Sequence, residues 1–480
     1  MDLILLSAGF LLFWSTILFT HYILTSCLVH PYINLSKTIG LKIKPFYLGV
    51  YLNRIEYGLS RYVNRYDKFV ETWMNLGVFV SLFLTPVSIC ILLQTVVNLI
   101  SHEKQKSKNF GTLEPLLPGV NLPFSEIFYY IIALIISSVF HEFGHFIAAL
   151  KEGIKVNGAG ISFFAFLPIA YVNIAEDQLN RLAILCKLRI FCAGVWHNLA
   201  LGLFTASLLL LNPFILSPLY KTGEGVVVLS TQENWDASGS HGIQTYDIIT
   251  NINRHCRVTS KEEWKSCFLN LLTEPDESYC VSQNFINEEE FKSEGETCCV
   301  ENLKRHLCFN NLHSEQHLCL PVRQILEKFT TYCNETTKCL NGYSCIKPKV
   351  ETPGFKLMEL QRKDKPAFLF WGHPYELYNS LSVINYNPRF NFLSLLWLQR
   401  WENLLRYITS FSLALSLLNS IPCFVMDGKY ITKSSLELLF KRFFSKSSMH
   451  LVELSLSIFG TILVIICVSL GFLSVVKNHV

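Results

Sequence analysis

Charge is scarce in this sequence. Only 16% of its 480 residues are Asp, Glu, Lys or Arg, against about 25% in an average soluble domain. Half of the residues are hydrophobic. Together these figures exclude a disordered chain and a single soluble globule. The net charge of +4 lacks the basic excess that coats a polyanion, so no nucleic-acid partner is expected. No internal repeat or low-complexity tract is visible. Paired C-x2-C units are also missing, which argues against a zinc ribbon.

What is present is unevenly placed. Long apolar runs sit towards both ends, with a polar block between them. A bilayer core of about 30 Å needs roughly 20 apolar residues in a helix. Residues 3–26, 73–99, 127–150, 185–217, 403–426 and 450–476 meet that need. The first run lacks a basic leader and a small-x-small cleavage site, so it reads as a retained anchor. The stretch 156–174 is too broken by Gly158, Gly160 and Pro168 for a straight span. It reads as a hairpin or re-entrant segment, tolerated at membrane depth where protein or water satisfies its backbone. Such a segment can also offer a strand edge to an unwound chain.

Lys and Arg orient the spans. Loop 27–72 carries Lys37, Lys42, Lys44, Arg54, Arg61, Arg65 and Lys68, and loop 429–447 carries Lys429, Lys433, Lys441, Arg442 and Lys446. Both are expected in the cytosol, which puts block 218–400 on the opposite, lumenal side. The sequon Asn34-Leu35-Ser36 then stays unused.

Ten of the sixteen cysteines lie between Cys256 and Cys345. An even, dense set in a polar block predicts disulfides in an oxidising compartment, although ten cysteines leave the pairing open. The sequon Asn334-Glu335-Thr336 fits the same side. Within the block, residues 223–262 show a β-rich run at Val226–Leu229, turn residues, a second run over Tyr246–Asn253 and a predicted helix over Lys261–Leu272. This order resembles a PDZ domain, which binds chains by adding a strand; an ordinary small β domain would read the same way.

The sharpest local signal is His141-Glu142-Phe143-Gly144-His145. On a helix, residues four apart share a face, so both imidazoles can reach one metal ion. A zinc ion there makes hydroxide available near neutral pH, and Glu142 stands beside it to take a proton. Three ionisable residues inside one apolar span are costly to insert and point to function. The same cluster also suits a channel or transporter passing protons or metal; tightly bound zinc, one per chain, separates the two readings.

A catalytic zinc needs a third protein ligand and an open position. Asp427, in Asn419-Ser420-Ile421-Pro422-Cys423-Phe424-Val425-Met426-Asp427-Gly428, is the candidate. An Asp-Gly turn at a helix end reads the same residues without a metal. Topology favours the ligand, because His141–His145 and Asp427 are both expected towards the cytosolic face. In Cys192-Ala193-Gly194-Val195-Trp196-His197-Asn198, small residues at 193 and 194 permit close helix approach. His197 reads as a packing contact. Asn198 offers an amide that either bonds across helices or holds a substrate backbone or oxyanion.

HEFGH within a span, the Ile421-Pro422…Met426-Asp427-Gly428 element and the 192–198 run together resemble the site-2 proteases, a family of intramembrane zinc metalloproteases. The run Gly158–Asn173 is similar to that family's membrane-embedded β segment, and the cysteine-rich insert to its animal branch. The resemblance covers about 127–476. Met426 stands where the family usually has Leu, and Ser420-Ile421 where many relatives have a second proline; neither touches a ligand.

The resemblance implies an α-helical multi-pass membrane protein with about six transmembrane helices, a re-entrant β segment and a lumenal PDZ-like, cysteine-rich α+β insert. It divides into N-terminal spans and a basic loop (1–126), a catalytic core (127–217), the insert (218–400) and a C-terminal core (401–480). It implies Zn2+, one per chain, on His141, His145 and Asp427, with Glu142 as general base and acid and Asn198 positioning substrate. The implied substrates are membrane-anchored transcription factor precursors, with single-span or hairpin helices, in the Golgi or endoplasmic reticulum. They act in sterol and stress signalling and are first cut by a lumenal site-1-type protease.

Overall fold

The structure is a computed structural model. It describes residues 2–52, 56–100, 126–165, 167–232, 242–290, 298–299, 306–312, 314, 316–329, 331–333, 339–350, 352–390, 392–440 and 442–479. The sequon at Asn334 lies outside them. The chain divides into two compact units, one of residues 1–211 with 401–480 and one of residues 212–400.

The first unit opens with helix α1 (Asp2–Ser26) and a short α2 (His30–Thr38). Strands β1 (Lys42–Lys44) and β2 (Tyr47–Leu52) form a hairpin, and α3 (Glu56–Arg65) leads into α4 (Asp67–Ile100). Then come α5 (Ile127–Lys151), β3 (Val156–Phe164), β4 (Leu167–Ile174), α6 (Glu176–Arg181) and α7 (Ile184–Ile215). The four strands make one antiparallel sheet in the order β1-β2-β3-β4. The broken stretch 156–174 is thus a hairpin, as its glycines and proline predict. The loop expected only to connect, 27–72, supplies two further strands. Pairing over a hundred residues of separation leaves no local trace in the sequence.

Among the described residues, five helical segments are long and apolar enough to cross a membrane: Ala8–Ser26, Asp67–Ile100, Ile127–Lys151, Ile184–Ile215 and Lys446–Ser474. In α5 the buried positions include Ala133, Ser137, His141, Gly144, His145 and Ala148, one helical stripe of small and polar residues. In lipid the large apolar side chains can face outward, so small and polar ones take the interior.

The second unit contains β5 (Tyr220–Lys221), β6 (Val226–Thr231), β7 (Ile248–Ile252), β8 (Cys256–Arg257), α8 (Lys261–Thr273), β9 (Ser278–Ser282), α9 (Gln283–Glu289), β10 (His306–Asn311), β11 (His317–Pro321), α10 (Val322–Lys328), β12 (Tyr332–Cys333), β13 (Tyr343–Pro348), β14 (Lys356–Arg362), β15 (Lys365–Gly372), α11 (Pro374–Ser380), β16 (Leu381–Ile384) and β17 (Asn387–Pro388). One sheet runs β15-β14-β7-β6-β16 with β8 beside β7, and a second runs β11-β10-β13-β9-β12. The expected runs at 226–229 and 246–253 fall on β6 and β7, and the expected helix on α8. Ser260 caps α8 by accepting from the Glu263 N–H at 3.2 Å, and Trp264, Phe268 and Leu271 bury its inner face.

All ten cysteines of the block are paired: Cys256–Cys267, Cys280–Cys339, Cys298–Cys308, Cys299–Cys319 and Cys333–Cys345. The three sulfurs of Cys280, Cys333 and Cys339 cluster, but all are committed to these bonds.

The chain returns to the first unit through α12 (Leu395–Ser420), α13 (Gly428–Phe440) and α14 (Lys446–His479). The sixth expected span, 403–426, falls on α12, which is less apolar than the others. The reason is interior packing. Thr409 bonds Thr205 at 2.7 Å, Ser412 bonds Ser137 at 2.8 Å, Ser416 donates to the Val195 carbonyl at 2.9 Å and Ser420 bonds Ser88 at 2.6 Å. Arg400, Glu402 and Arg406 lower the apolar content of its first turns further.

Candidate metal centre

His141 and His145 lie one turn apart on α5, both buried. What brings α7 so close to them is the absence of side chains. A Cβ at Gly144 would lie 2.5 Å from the Ala193 carbonyl oxygen, and one at Gly194 would lie 2.4 Å from His145 Nε2 and 2.6 Å from His141 Nε2. Small residues at 193 and 194 signal close helix approach in the sequence. That the space at 194 belongs to the imidazoles was not visible there.

Arg189 fixes α7 lengthwise. It donates to Glu152 at 3.0 Å, to Glu71 at 3.0 Å and to Asn75 at 2.8 Å. The next residue, Ile190, presents its carbonyl oxygen 2.8 Å from His145 Nδ1. A carbonyl only accepts, so Nδ1 carries the proton and Nε2 keeps its lone pair.

The third arm arrives from α12. The helix stops at Ser420, and Pro422 follows in the turn. The segment 421–427 folds back so tightly that a Cβ on Gly428 would lie 2.0 Å from the Ile421 carbonyl oxygen; only glycine fits there. Asp427 then stands at the start of α13, its carbonyl accepting from the Ile431 N–H at 2.9 Å. Its carboxylate reaches across, with Oδ2 2.9 Å from His141 Nε2 and 3.2 Å from His145 Nε2. The two Nε2 atoms are 3.2 Å apart.

Three ligand atoms at these separations fit one ion. A tetrahedral zinc with bonds of about 2.1 Å sets its ligand atoms roughly 3.4 Å apart. The donor set, two imidazoles and a carboxylate, is one that zinc accepts. The bare backbone of Gly194 packs against the same two nitrogens. The sequence-predicted residues His141, His145 and Asp427 therefore meet in space.

Glu142 faces the sheet. Its Oε2 accepts from the Val172 N–H on β4 at 3.0 Å, and Ser138, one turn earlier, accepts from the Ala170 N–H at 2.9 Å. Asn198 is fully buried with its Nδ2 3.2 Å from His141 Nδ1. Its nearest polar neighbour is thus a ligand ring. His197 bonds the Ala193 carbonyl at 2.7 Å and packs edge-on against Trp73 and Phe143, a helix-packing role. Sequence reasoning missed the Ile190 carbonyl and the Val172 N–H, because main-chain groups carry no residue signature.

A cluster of two buried histidines and a half-buried carboxylate with an adjoining glutamate, set among membrane-crossing helices, defines a membrane-embedded metalloprotease. The model for peptidase family M50 matches residues 129–465 of this chain. The chain belongs to that family, whose metalloproteases depend on zinc. It is also 26% identical over 445 residues to the membrane-bound transcription factor site-2 protease homolog of Arabidopsis thaliana, covering 82% of this chain and 85% of that protein.

Proposed function

We propose that this chain is an intramembrane zinc endopeptidase, holding one zinc ion through His141, His145 and Asp427, that cuts membrane-anchored transcription factor precursors within their transmembrane helices. The convergence of those three side chains from α5 and the α12–α13 turn carries the reading. The name of the Arabidopsis relative supports the substrate class.

Zinc bound there supplies a Lewis acid and a source of hydroxide near neutral pH. Glu142, its carboxylate anchored by the Val172 N–H, takes the proton of the attacking water and returns it to the leaving amine. A peptide bond inside a helix is shielded, so single-span or hairpin substrates must unwind locally first. A prior cut by a lumenal site-1-type protease removes the bulk that would hinder entry. The second unit acts as the lumenal, PDZ-like filter for that bulk, in the Golgi or endoplasmic reticulum membrane. Its five disulfides support an oxidising compartment.

The test is Glu142→Gln on a membrane-anchored reporter. Release should fall at least about 100-fold while zinc content stays at one per chain. Cleavage that persists overturns Glu142 as the base. For the filter, deleting 223–345 should permit cleavage of uncut precursors; unchanged dependence on the first cut overturns it.

A further inference from the structure

Residues Ile190, Gly194 and Asn198 follow one another at intervals of four along α7 and so share one face. Each meets the histidine pair. The Ile190 carbonyl holds His145 Nδ1, Gly194 leaves room for both rings, and Asn198 lies on His141 Nδ1. The first two contacts suit a metal site as they stand.

The third carries an inconsistency. Asn198 presents its NH2 group to the ring, while its Oδ1 is buried with no hydrogen-bond partner. A histidine that gives Nε2 to a metal carries its proton on Nδ1, so an NH2 group there sets donor against donor. Turning the amide by half a turn exchanges oxygen and nitrogen in nearly the same volume. The oxygen then accepts from Nδ1–H, and the orphaned acceptor disappears.

We propose that Asn198 is a positioning residue for His141. Its Oδ1 accepts from the His141 Nδ1–H, fixing the tautomer and the ring plane so that Nε2 faces the ion. The inference rests on the zinc reading of the site. With no exposed surface, Asn198 offers a substrate nothing to touch. The pair mirrors the bond between Ile190 and His145, so α7 orients both histidines. Such outer partners raise ligand basicity, and their loss typically weakens metal binding 10–100-fold.

The experiment measures metal in the full-length protein. Wild type should retain one zinc in a chelator competition. Asn198→Leu removes the acceptor at similar volume and should weaken zinc binding 10–100-fold. Asn198→Asp keeps an acceptor for the same N–H and should hold zinc at least as tightly as wild type. Cobalt substituted for zinc should show an altered visible spectrum in the Leu variant and a wild-type-like one in the Asp variant. Equal zinc affinity in all three proteins, with a raised KM in the variants, overturns the proposal in favour of substrate contact. Loss of zinc from both variants overturns it in favour of a packing role. A wild type that holds no zinc overturns the metal reading itself and this inference with it.

Discussion

The carboxylate of Glu142 lies 3.0 Å from the main-chain nitrogen of Val172. One turn back, Ser138 takes the N–H of Ala170. Alternate amides of an edge strand point away from its sheet, and β4 is such an edge. Two successive outward amides are thus tied to one face of the helix that bears the histidines. The sheet holds the proposed base in place.

Val172→Pro deletes this donor alone. Proline is tolerated on an edge strand where the N–H points outward, and Pro168 already occupies the same strand. The expected result is a kcat about tenfold lower with KM unchanged, a fraction of what general-base catalysis contributes. Steady-state cleavage of a detergent-solubilised reporter checks it. A higher KM with kcat intact would instead mark the β4 edge as the place where substrate docks.

Gly194→Ala tests the space between the rings. Alanine favours a helix over glycine by about 1 kcal/mol, so backbone propensity predicts no loss of fold. The new Cβ, however, would lie 2.4 Å from His145 Nε2 and 2.5 Å from His141 Cε1. Zinc affinity should fall at least about 100-fold, a loss at the upper end of outer-contact effects. Gly202→Ala, on the same helix, meets mainly the flexible end of Leu413 and should keep its zinc. Metal content of the two purified variants decides.

The contrast between those glycines shows what the sequence could reveal. HEFGH is legible because its chemistry sits in side chains at a fixed helical interval. Asp427 is legible because an acid at the end of an apolar segment is rare. The strand at Tyr47–Leu52 is not, since its partner β3 lies a hundred residues away, and Lys42–Lys44 is a strand only by pairing with it. The helix α12 is legible as the apolar run 403–426, but its start at Leu395 is not, because Arg400, Glu402 and Arg406 interrupt the apolar residues there. For Asn198 the residue type leaves a bond across helices and a substrate contact equally open, and the family resemblance implies the substrate contact. Only its burial and orphaned oxygen point it at His141.

In the second unit, Asp247 is buried against Arg362 at 2.9 Å and Lys365 at 2.5 Å, and also accepts from the Gln244 N–H at 3.0 Å. Burial pushes its carboxyl upward, but Lys365, the Gln244 amide and Arg362 outweigh it and hold it below the ordinary value. A carboxyl depressed in the folded state stabilises above its unfolded value, near pH 4, and loses that contribution as pH falls through the folded value. Strands β6 and β7 should therefore lose hydrogen-exchange protection below about pH 4. Asp247→Asn should remove that dependence and cost about 3 kcal/mol at pH 7, since Arg362 is left buried without its anion. Unchanged acid sensitivity in the variant would assign the effect to other carboxyls.

The disulfides make the last prediction. Peptide mapping without reductant should recover the five linked pairs, including Cys333–Cys345, whose half at Cys345 has no exposure. Cys333→Ser opens a loop of about 12 residues, worth roughly 3 kcal/mol, and leaves a buried thiol. The sheet β11-β10-β13-β9-β12 should become protease-sensitive in that variant. His141, His145 and Asp427 belong to the other compact unit, so zinc content should not change. Full reduction of the wild type should act the same way, with proteolysis in the second unit and the metal retained. Release of zinc on reduction would show that the two units do not stand independently.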